Sequence, residues 1–468
     1  MWKSVAVVGF AVLAGCTLGP SYRRPAVQTP DAFRAPVPIS GHDPASLADL
    51  KWWEIFKDEK LQDLERTALT QNFDLRAAVA RVEAARANVG IVRSNQFPTF
   101  AGGANISTTR ISRDGSSPLP ASFVPSQNRT FGGATLNLLS FEADIWGRLR
   151  RATESARAQL LSADDTRLAV VTTLVADVAT AYFTMRELDY ELAISQRTLA
   201  TRQASLELIK SRQAGGVATL LDLRQGEELV YTALQVIPSI QLEIEQTENR
   251  INLLLGRNPG GIERGRELTD QNIPPDVPVG LPSALLERRP DILAAEHNLI
   301  AANAQIGVAR AAYYPQITLS GFLGGLSTQL ANLFTGTSGV WNFTPQITQP
   351  IFTAGRLKSN VKLSEALRDS ALAEYEKAIQ TSFAEVSDAL IAHQRLRESR
   401  VQQELLVGAL QDRTRLAYVR YRGGVDTLLN ALDADRDQFQ AELMLAQIRR
   451  SELLAIVQLY KALGGGWQ

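Results

Sequence analysis

Residues 422–436 read "RGGVDTLLNALDADR", and residues 214–225 read "AGGVATLLDLRQ", so one phrase occurs twice in the chain. In both copies a glycine pair is followed by valine, a variable residue, threonine and two leucines. Glycine often ends a helix in the left-handed conformation and lets the chain turn into the next element. The pairs Gly215 and Gly216, and Gly423 and Gly424, therefore predict two helix-tip turns.

The repetition extends along the whole chain. Residues 74–98 align without a gap with residues 291–315 at an offset of 217 (307 − 90, for the glycines at those positions). Later matches, such as Gly216 with Gly424, keep an offset of 208 (424 − 216). The chain therefore consists of two similar halves, joined by the proline- and glycine-rich stretch at 258–282.

Each half contains one very long segment with helical character. Residues 148–212 contain neither proline nor glycine, and residues 356–422 contain no proline. Apolar residues in the first segment recur every three or four positions, as in a left-handed coiled coil. At about 1.5 Å per residue, each segment gives a rod on the order of 100 Å long. This length favours a tube or spacer, although the periodicity alone also fits a packed helix bundle.

Two shorter pieces of strand character precede each long helix. In "WNFTPQITQPIF", residues 341–352, apolar and neutral polar residues alternate, which indicates a strand with one apolar face. Similar pieces lie at 97–109, 130–144 and 314–326, and each is long enough for a tilted membrane strand. Four strands cannot close a barrel, because about eight is the practical minimum, so several copies of the chain would have to contribute. A soluble β-layer is the alternative.

The N-terminus has the pattern of a secreted lipoprotein. Lys3 precedes the apolar run "SVAVVGFAVLAG", which is too short for a stable membrane span and typical of a signal peptide. The segment "LAGC", ending at Cys16, resembles a bacterial lipobox, which implies cleavage before Cys16 and lipid on that residue. An ordinary signal peptide with an incidental cysteine is the alternative. Thr17 follows instead of aspartate, which by analogy with such lipoproteins favours the outer membrane.

Composition argues against several other classes of function. The 49 basic residues equal the 49 acidic ones, so no nucleic-acid footprint is visible. The three histidines have no metal-ligand spacing, and the single cysteine allows no internal disulfide. No catalytic triad or phosphate-binding motif is present. We therefore expect no enzyme activity, no metal and no cofactor apart from the lipid on Cys16.

The sequence resembles the TolC family of outer-membrane efflux proteins, in particular its lipidated OprM-like branch. The resemblance covers essentially the whole chain and includes "GCTLGPSYRRP", "WGRLRRATESA", "VATAYFTM", "GVATLLDLRQ", "PIFTAGRLKSNV" and "LYKALGGGWQ". It implies a mainly α fold with a membrane β-barrel. Three protomers would each give four strands to a 12-stranded barrel, continued by an α-helical coiled-coil barrel through the periplasm.

The same resemblance implies a domain order and a set of partners. The order is a signal peptide at 1–15, an N-terminal equatorial segment at 16–60, a first repeat at 61–256, an equatorial linker at 257–282, a second repeat at 283–464 and a short end at 465–468. The homotrimer would be the passive, gated exit duct of a tripartite pump for drugs and other amphipathic small molecules. Its partners would be a periplasmic adaptor, an inner-membrane transporter of the resistance-nodulation-division class and outer-membrane lipid.

The resemblance also assigns a periplasmic gate to the residues after the second tip. Leu429 and Asp433 are four residues apart on one helix face, and three copies of each would form an apolar ring and an acidic ring. Arg436, Tyr421, Asp222 and Arg224 are the candidates for a latch of salt bridges and hydrogen bonds. The alternative is that Leu429 belongs to the core and Asp433 is simply solvated. Asp426 is expected to cap the helix that follows it.

Two other functions remain open from the sequence. A polypeptide-secretion system uses a similar duct, and residue patterns do not distinguish its cargo from small molecules. A periplasmic adaptor or coiled-coil scaffold is often lipidated too, but it carries one helical hairpin. Here the helical phrase occurs twice, and each half encloses two strands, which favours the duct.

Overall fold

In the computed structural model the described residues are 17–27, 29–30, 32–35, 47, 55–110, 128–271 and 282–466. The predicted signal peptide and the lipid site at Cys16 lie outside them. Within them the chain is mainly helical. The helices are α1 (Glu59–Gln71), α2 (Phe73–Ser94), α3 (Arg148–Ala214), α4 (Leu220–Leu254), α5 (Leu285–Arg288), α6 (Pro290–Ala311), α7 (Arg356–Arg422) and α8 (Leu428–Ala462). The strands are β1 (Phe100–Arg110), β2 (Asn128–Glu142), β3 (Gln316–Ser327) and β4 (Gly339–Thr348).

The chain divides into two compact units. Among the described residues, the first contains 17–25 together with those of Val82–Ser162 and Ala295–Glu374, and it includes all four described strands. The second contains Ala26–Arg81, Ala163–Ala294 and the residues from Tyr375 onward, and it includes both helix tips. Each sequence repeat contributes to both units, so the units are products of folding and not of the repeat boundaries.

The two pairs of long helices in the repeats have equal lengths, and α3 and α7 have the same type of end. The long helices α3 and α7 have 67 residues each, and α4 and α8 have 35 each. After α3, Val217 N donates to Arg212 O at 2.8 Å and Gly216 N donates to Gln213 O at 3.0 Å. After α7, Val425 N donates to Arg420 O at 3.1 Å, and Gly424 N also donates across the turn. These are Schellman caps, in which glycine takes the positive φ that other residues adopt at a cost.

One difference separates the paired helices α4 and α8. Pro238 lies inside α4, whereas position 446 of α8, which is 208 residues later, holds Ala446. Proline has no N–H, so the α4 ladder lacks one bond, the one to the carbonyl of Leu234. Ala446 is fully buried in the core of the second unit. The helices α4 and α8 therefore have the same length but differ in backbone hydrogen bonding, which makes α4 easier to bend.

The four strands form one antiparallel sheet in the order β1-β2-β3-β4. The pairing of β2 with β3 joins the two sequence repeats in a single sheet, with a bulge between Leu138 and Phe141. Among the described residues β1 and β4 are edge strands, paired on one side only. Pro345 is tolerated in β4 because an edge strand does not need every N–H for the ladder.

The sheet exposes an apolar face. One row across it joins Gly102, Leu136, Leu323 and Trp341, and the next joins Phe100, Leu138, Gly321 and Phe343. Trp341 is 79% exposed and Phe343 is 58% exposed. The opposite face carries mainly neutral polar residues in the middle of the strands, including Thr135, Asn137, Ser320, Thr318, Thr344 and Gln346. A sheet in water buries its apolar face, so this sheet is built for contact with lipid or protein.

The main core lies in the second unit. It is formed by residues of α1, α3, α4, α7 and α8, and its largest fully buried side chains include Tyr182, Phe183 and Met185 of α3. Among the described helices, only α3 has a stretch long and apolar enough to cross a membrane, and 56% of that stretch is buried inside the protein. Its hydrophobicity is accounted for by this core.

Candidate functional site at the helix tips

Arg212 ties the two helix tips together. Its Nη1 donates to the carbonyl of Tyr421 at 3.4 Å, and its Nη2 donates to the carbonyl of Arg422 at 3.1 Å. The guanidinium also lies 4.6 Å from the centre of the Tyr421 ring, in cation–π geometry. Both carbonyls are in the last turn of α7, where helical carbonyls lack partners, so the cation neutralises the negative end of that helix. The two predicted helix-tip turns therefore lie next to each other within the protomer.

A small apolar cluster supports the second tip. Its buried members are Ile209, Tyr421, Leu428, Ala431 and Leu432, contributed by α3, α7 and α8. Leu428 is the first residue of α8 and is buried, whereas Leu220, the first residue of α4, is exposed. Equivalent positions of the repeat therefore serve different purposes at the two tips.

A buried ion pair lies beneath this cluster. Arg202 Nε donates to Asp435 Oδ2 at 2.6 Å, and their side chains are only 2% and 8% exposed. Arg202 also donates to the carbonyl of Leu229 at 3.0 Å and stacks 4.9 Å from the centre of the Phe439 ring. Burial raises the pKa of Asp435 even though Arg202 opposes that effect. The pair was not predicted, although a signal existed, since Asp435 follows Leu428, Ala431 and Leu432 on the apolar stripe of α8.

The two predicted gate residues, Leu429 and Asp433, belong neither to the apolar cluster at the second tip nor to the buried ion pair. Leu429 is 51% exposed. The Asp433 carboxylate is 3.3 Å from Arg436 Nη2, an exposed pair one turn apart on α8. Such surface pairs contribute about 0–1 kcal/mol, so Asp433 can exchange this partner for another at little cost. The alternative that Leu429 is a core residue of its own protomer is wrong.

The predicted latch residues have local partners within the protomer. Asp222 completes a capping box with Thr219 at the start of α4, and Arg224 pairs with Glu227 at 2.6 Å. Tyr421 is buried beneath Arg212, as described above. Within the described residues these latch candidates form no bonds with one another in the protomer. A latch between protomers stays a prediction.

The expectation that Asp426 caps α8 requires correction. The N-cap of α8 is Thr427, which makes no side-chain cap bond. Asp426 lies one residue earlier, where its carboxylate accepts from Arg420 Nε at 2.9 Å and from the Asn430 side chain at 2.7 Å. The salt bridge to Arg420 is the main reason that the pKa of Asp426 is lowered. The acid therefore braces the turn between α7 and α8 instead of capping the second helix.

A cluster of acids is buried in the second unit, farther from the helix tips along α3 than the pair between Arg202 and Asp435. Glu187 and Glu191 lie one turn apart on α3, and both are largely buried. Arg450 of α8 lies 3.3 Å from Glu187, Gln447 donates to Glu191 at 3.0 Å, and Glu243 of α4 adds a further negative charge. Burial and the adjacent Glu191 carboxylate raise the pKa of Glu187 to about 8. One cation faces three carboxyl groups, so the cluster retains a proton at neutral pH.

This proton predicts a pH-dependent stability. The folded chain binds it below about pH 8, whereas an unfolded glutamate releases it near 4.5, so the unfolded state binds fewer protons in between. The free energy of unfolding should therefore fall as pH rises from about 5 to 8, by up to about 1.4 kcal/mol per pH unit. Chemical denaturation of the wild type and of Glu187→Gln at several pH values tests this.

The comparison of the two proteins isolates the contribution of Glu187. Burial also raises the pKa of Glu65, so the wild-type profile contains more than one group. Glu187→Gln keeps a hydrogen-bond donor toward Glu191 and removes the titration, which should flatten the profile above pH 5. Parallel profiles for the two proteins would show that Glu187 does not hold the proton.

The antiparallel strand unit with an exposed apolar face, followed by paired long helices, defines a class of outer-membrane channel. The chain belongs to the outer membrane efflux protein family, whose family model matches residues 64–257 and 281–465. Its predicted function as an outer-membrane efflux channel is confirmed at this level, and a periplasmic adaptor is disfavoured.

Curated relatives and solved structures agree with this assignment. The toluene efflux pump outer membrane protein TtgC of Pseudomonas putida is 40% identical over 474 residues, covering 99% of this chain and 95% of that protein. The outer membrane protein OprJ of Pseudomonas aeruginosa is 36% identical over 464 residues, covering 97% and 94%. The open-state crystal structure of the MtrE outer membrane channel of Neisseria gonorrhoeae superposes with a TM-score of 0.85 at 33% identity, covering 97% and 99%. The predicted fold class is confirmed.

Proposed function

We propose that this chain assembles as a lipid-anchored homotrimer and forms the passive exit duct of a tripartite efflux pump. The four-stranded sheet carries this proposal. Its apolar face is exposed, and among the described residues its two edge strands each lack a partner on one side. Open edges are excluded from a bilayer, so β1 of one protomer must pair with β4 of the next. Three such sheets supply twelve strands, enough for a closed barrel.

The helical unit supplies the closed end of the duct in this proposal. Leu429 is exposed and Asp433 is half-exposed in the protomer, and both follow a tip that Arg212 and the Asp426 bridges hold in place. Threefold assembly would bring three copies of each residue together around the axis. The leucines would then form an apolar constriction, and the aspartates would form a cation-attracting ring. A passive duct supplies no energy for export, so in this proposal the driving force comes from a partner.

The names of the relatives support the proposed cargo. Names among them refer to toluene, solvent and antibiotic efflux pumps. We assign amphipathic organic solvents and antibiotics as cargo, a periplasmic adaptor as the neighbour at the tips, and an inner-membrane transporter of the resistance-nodulation-division class as the energy source. The lipid on Cys16, outside the described residues, would anchor each protomer in the outer membrane.

Two experiments test the proposal. Membrane fractionation with unheated gel electrophoresis should show a heat-modifiable trimer in the outer membrane, and a monomer in the soluble periplasm would contradict it. Deletion of the gene should lower tolerance of toluene and of several antibiotics and leave the set of secreted proteins unchanged. Loss of one secreted protein with unchanged tolerance would identify a polypeptide-secretion duct instead.

A further inference from the structure

The residues directly after Cys16 lie in a site on the first unit. We propose that residues 17–24, "TLGPSYRR", are the ligand of a dedicated site formed by Arg151, Glu296, Asn303 and Gly307, and that its occupancy couples anchoring of the N-terminus to assembly of the sheet. We name residues 17–24 the strap. The coupling rests on the proposed lipid at Cys16, but the site itself does not.

Polar side chains bind the strap along its length. Leu18 N donates to the carbonyl of Trp146 at 3.1 Å. The buried Arg151 donates to the carbonyls of Leu18 and Gly19 at 3.1 and 3.3 Å. Asn303 Nδ2 donates to the carbonyl of Pro20 at 2.9 Å. Backbone carbonyls of an irregular segment are therefore satisfied by side chains that would otherwise be buried without these partners.

The far end of the strap is held by charge. Tyr22 Oη and Arg24 Nε both donate to Glu296 Oε1 at 2.9 Å, and Arg24 makes a second bond to the other carboxylate oxygen. The Glu296 side chain is only 11% exposed. A bidentate arginine–carboxylate pair at a site of this burial fixes orientation as well as position.

Glycines allow the strap to approach the helices closely. A Cβ on Gly307 of α6 would lie 2.6 Å from the carbonyl oxygen of Leu18 and 2.8 Å from Arg151 Cγ. A Cβ on Gly19 would lie 2.5 Å from Gly307 Cα, and one on Gly147 would lie 3.0 Å from Thr17 Cα. The distances at Gly307 and Gly19 are shorter than a real Cβ atom allows, and the one at Gly147 is tight, so the backbones of the strap and of α6 are in direct contact. Thr17 is consequently seated where β2 leads into α3.

The duplication provides an internal comparison. The first-repeat positions aligned with Glu296, Asn303 and Gly307 are Val79, Arg86 and Gly90, each 217 residues earlier. A Cβ on Gly90 would meet no atom of the described residues within 4 Å. Ser359 stands 208 residues after Arg151. The repeat thus has two copies of the scaffold and one copy of the binding groups, as a site for a single N-terminus requires.

Seating of the strap has a consequence for the membrane. Thr17 is adjacent to Cys16 and packs against Gly147 in the link between β2 and α3. Lipid on Cys16 would therefore enter the bilayer near the strands of its own protomer. An unseated strap would leave the lipid on a flexible tether that no longer aligns the sheet with the membrane. The site therefore acts as a positioning device for assembly.

A matched pair of alanine variants of the full-length protein tests this. Gly307→Ala adds a methyl group that overlaps the strap. Gly90→Ala adds the same group at the equivalent position of the first repeat, where it meets no described atom. Alanine favours helix over glycine at both sites, so loss of helix propensity cannot explain a defect. Trypsin cleavage after Arg23 reports release of the strap. We expect it to accelerate roughly tenfold in Gly307→Ala, as local opening becomes easier, and to stay unchanged in Gly90→Ala.

Two further variants and a labelling control complete the test. Glu296→Gln and Arg24→Gln should also release the strap, and Arg24 lies on the strap itself, so its replacement leaves the helices intact. All three strap variants should keep palmitate labelling and lose part of the heat-modifiable trimer. A strap that stays protected from trypsin in them would overturn the site, and a released strap with normal trimer would overturn the coupling. Absence of palmitate from the wild type would refute the lipid proposal alone.

Discussion

We expect replacement of both Leu429 and Asp433 by alanine to increase the single-channel conductance of the duct in a planar bilayer by about tenfold, which corresponds to about 1.4 kcal/mol off the barrier to ion passage. Leu429 is exposed in the protomer, and within the described part of the chain Asp433 has one ion-pair partner, the exposed Arg436. In the proposed trimer, three leucines around the axis would exclude water, and three aspartates would attract cations and fix a narrow ring through partners on neighbouring protomers. Alanine removes both barriers without disturbing the buried pair between Arg202 and Asp435.

The first repeat supplies the control for the gate. Leu221 and Gln225 are the residues aligned with Leu429 and Asp433, and Leu221 is also exposed. Leu221→Ala combined with Gln225→Ala makes the same loss of side chain at the other tip and should leave conductance near the wild-type value. Equal increases in both double variants would mean that the gate is not specific to the second tip. No increase in either would remove the gate assignment.

We expect Phe343→Lys to prevent stable insertion of the sheet in the outer membrane. Phe343 lies in the middle of β4, opposite Gly321, on the exposed apolar face. A lysine on the lipid side near the bilayer midplane costs about 2–4 kcal/mol, and a trimer incurs this cost in each protomer. The amount of heat-modifiable trimer in outer-membrane fractions measures the effect, with total protein from whole cells as the reference.

The adjacent residue gives a control that differs only in the face of the sheet. Thr344 points to the polar face, and Thr344→Lys puts the same charge on the opposite side of β4. We expect normal trimer and a shift of ion selectivity toward anions, because charges on the lumen side tune selectivity. Equal insertion of the two lysine variants would show that the apolar face does not meet lipid.

The sequence predicted the regular parts of this fold well. The observed α7 begins at Arg356 and ends at Arg422, as predicted, and α3 extends only two residues past the predicted Arg212. These bounds are marked by glycines, since a helix continues until the chain meets a residue that favours a turn. The strands were also predicted, because apolar and polar residues alternate along a strand whose sheet has one apolar and one polar face.

Contacts between distant residues were beyond sequence reasoning. The strap has no periodicity, and its bond from Tyr22 to Glu296 joins residues 274 positions apart. Asp426 was predicted to be a cap from its place beside a helix start, but Arg420 and Asn430 compete for its carboxylate. In both cases the decisive partner comes from the folded arrangement and leaves no signal in local composition.

Pro238 has a consequence for how the helical unit deforms. The missing hydrogen bond in α4 lowers the cost of bending there, while α8 has an unbroken ladder around the buried Ala446. Under mechanical load the hairpin formed by α3 and α4 should therefore flex at this position before the hairpin formed by α7 and α8 does. The two halves of the duplicated chain differ in compliance, so the softer hairpin can adapt to a moving neighbour while the stiffer one keeps its shape.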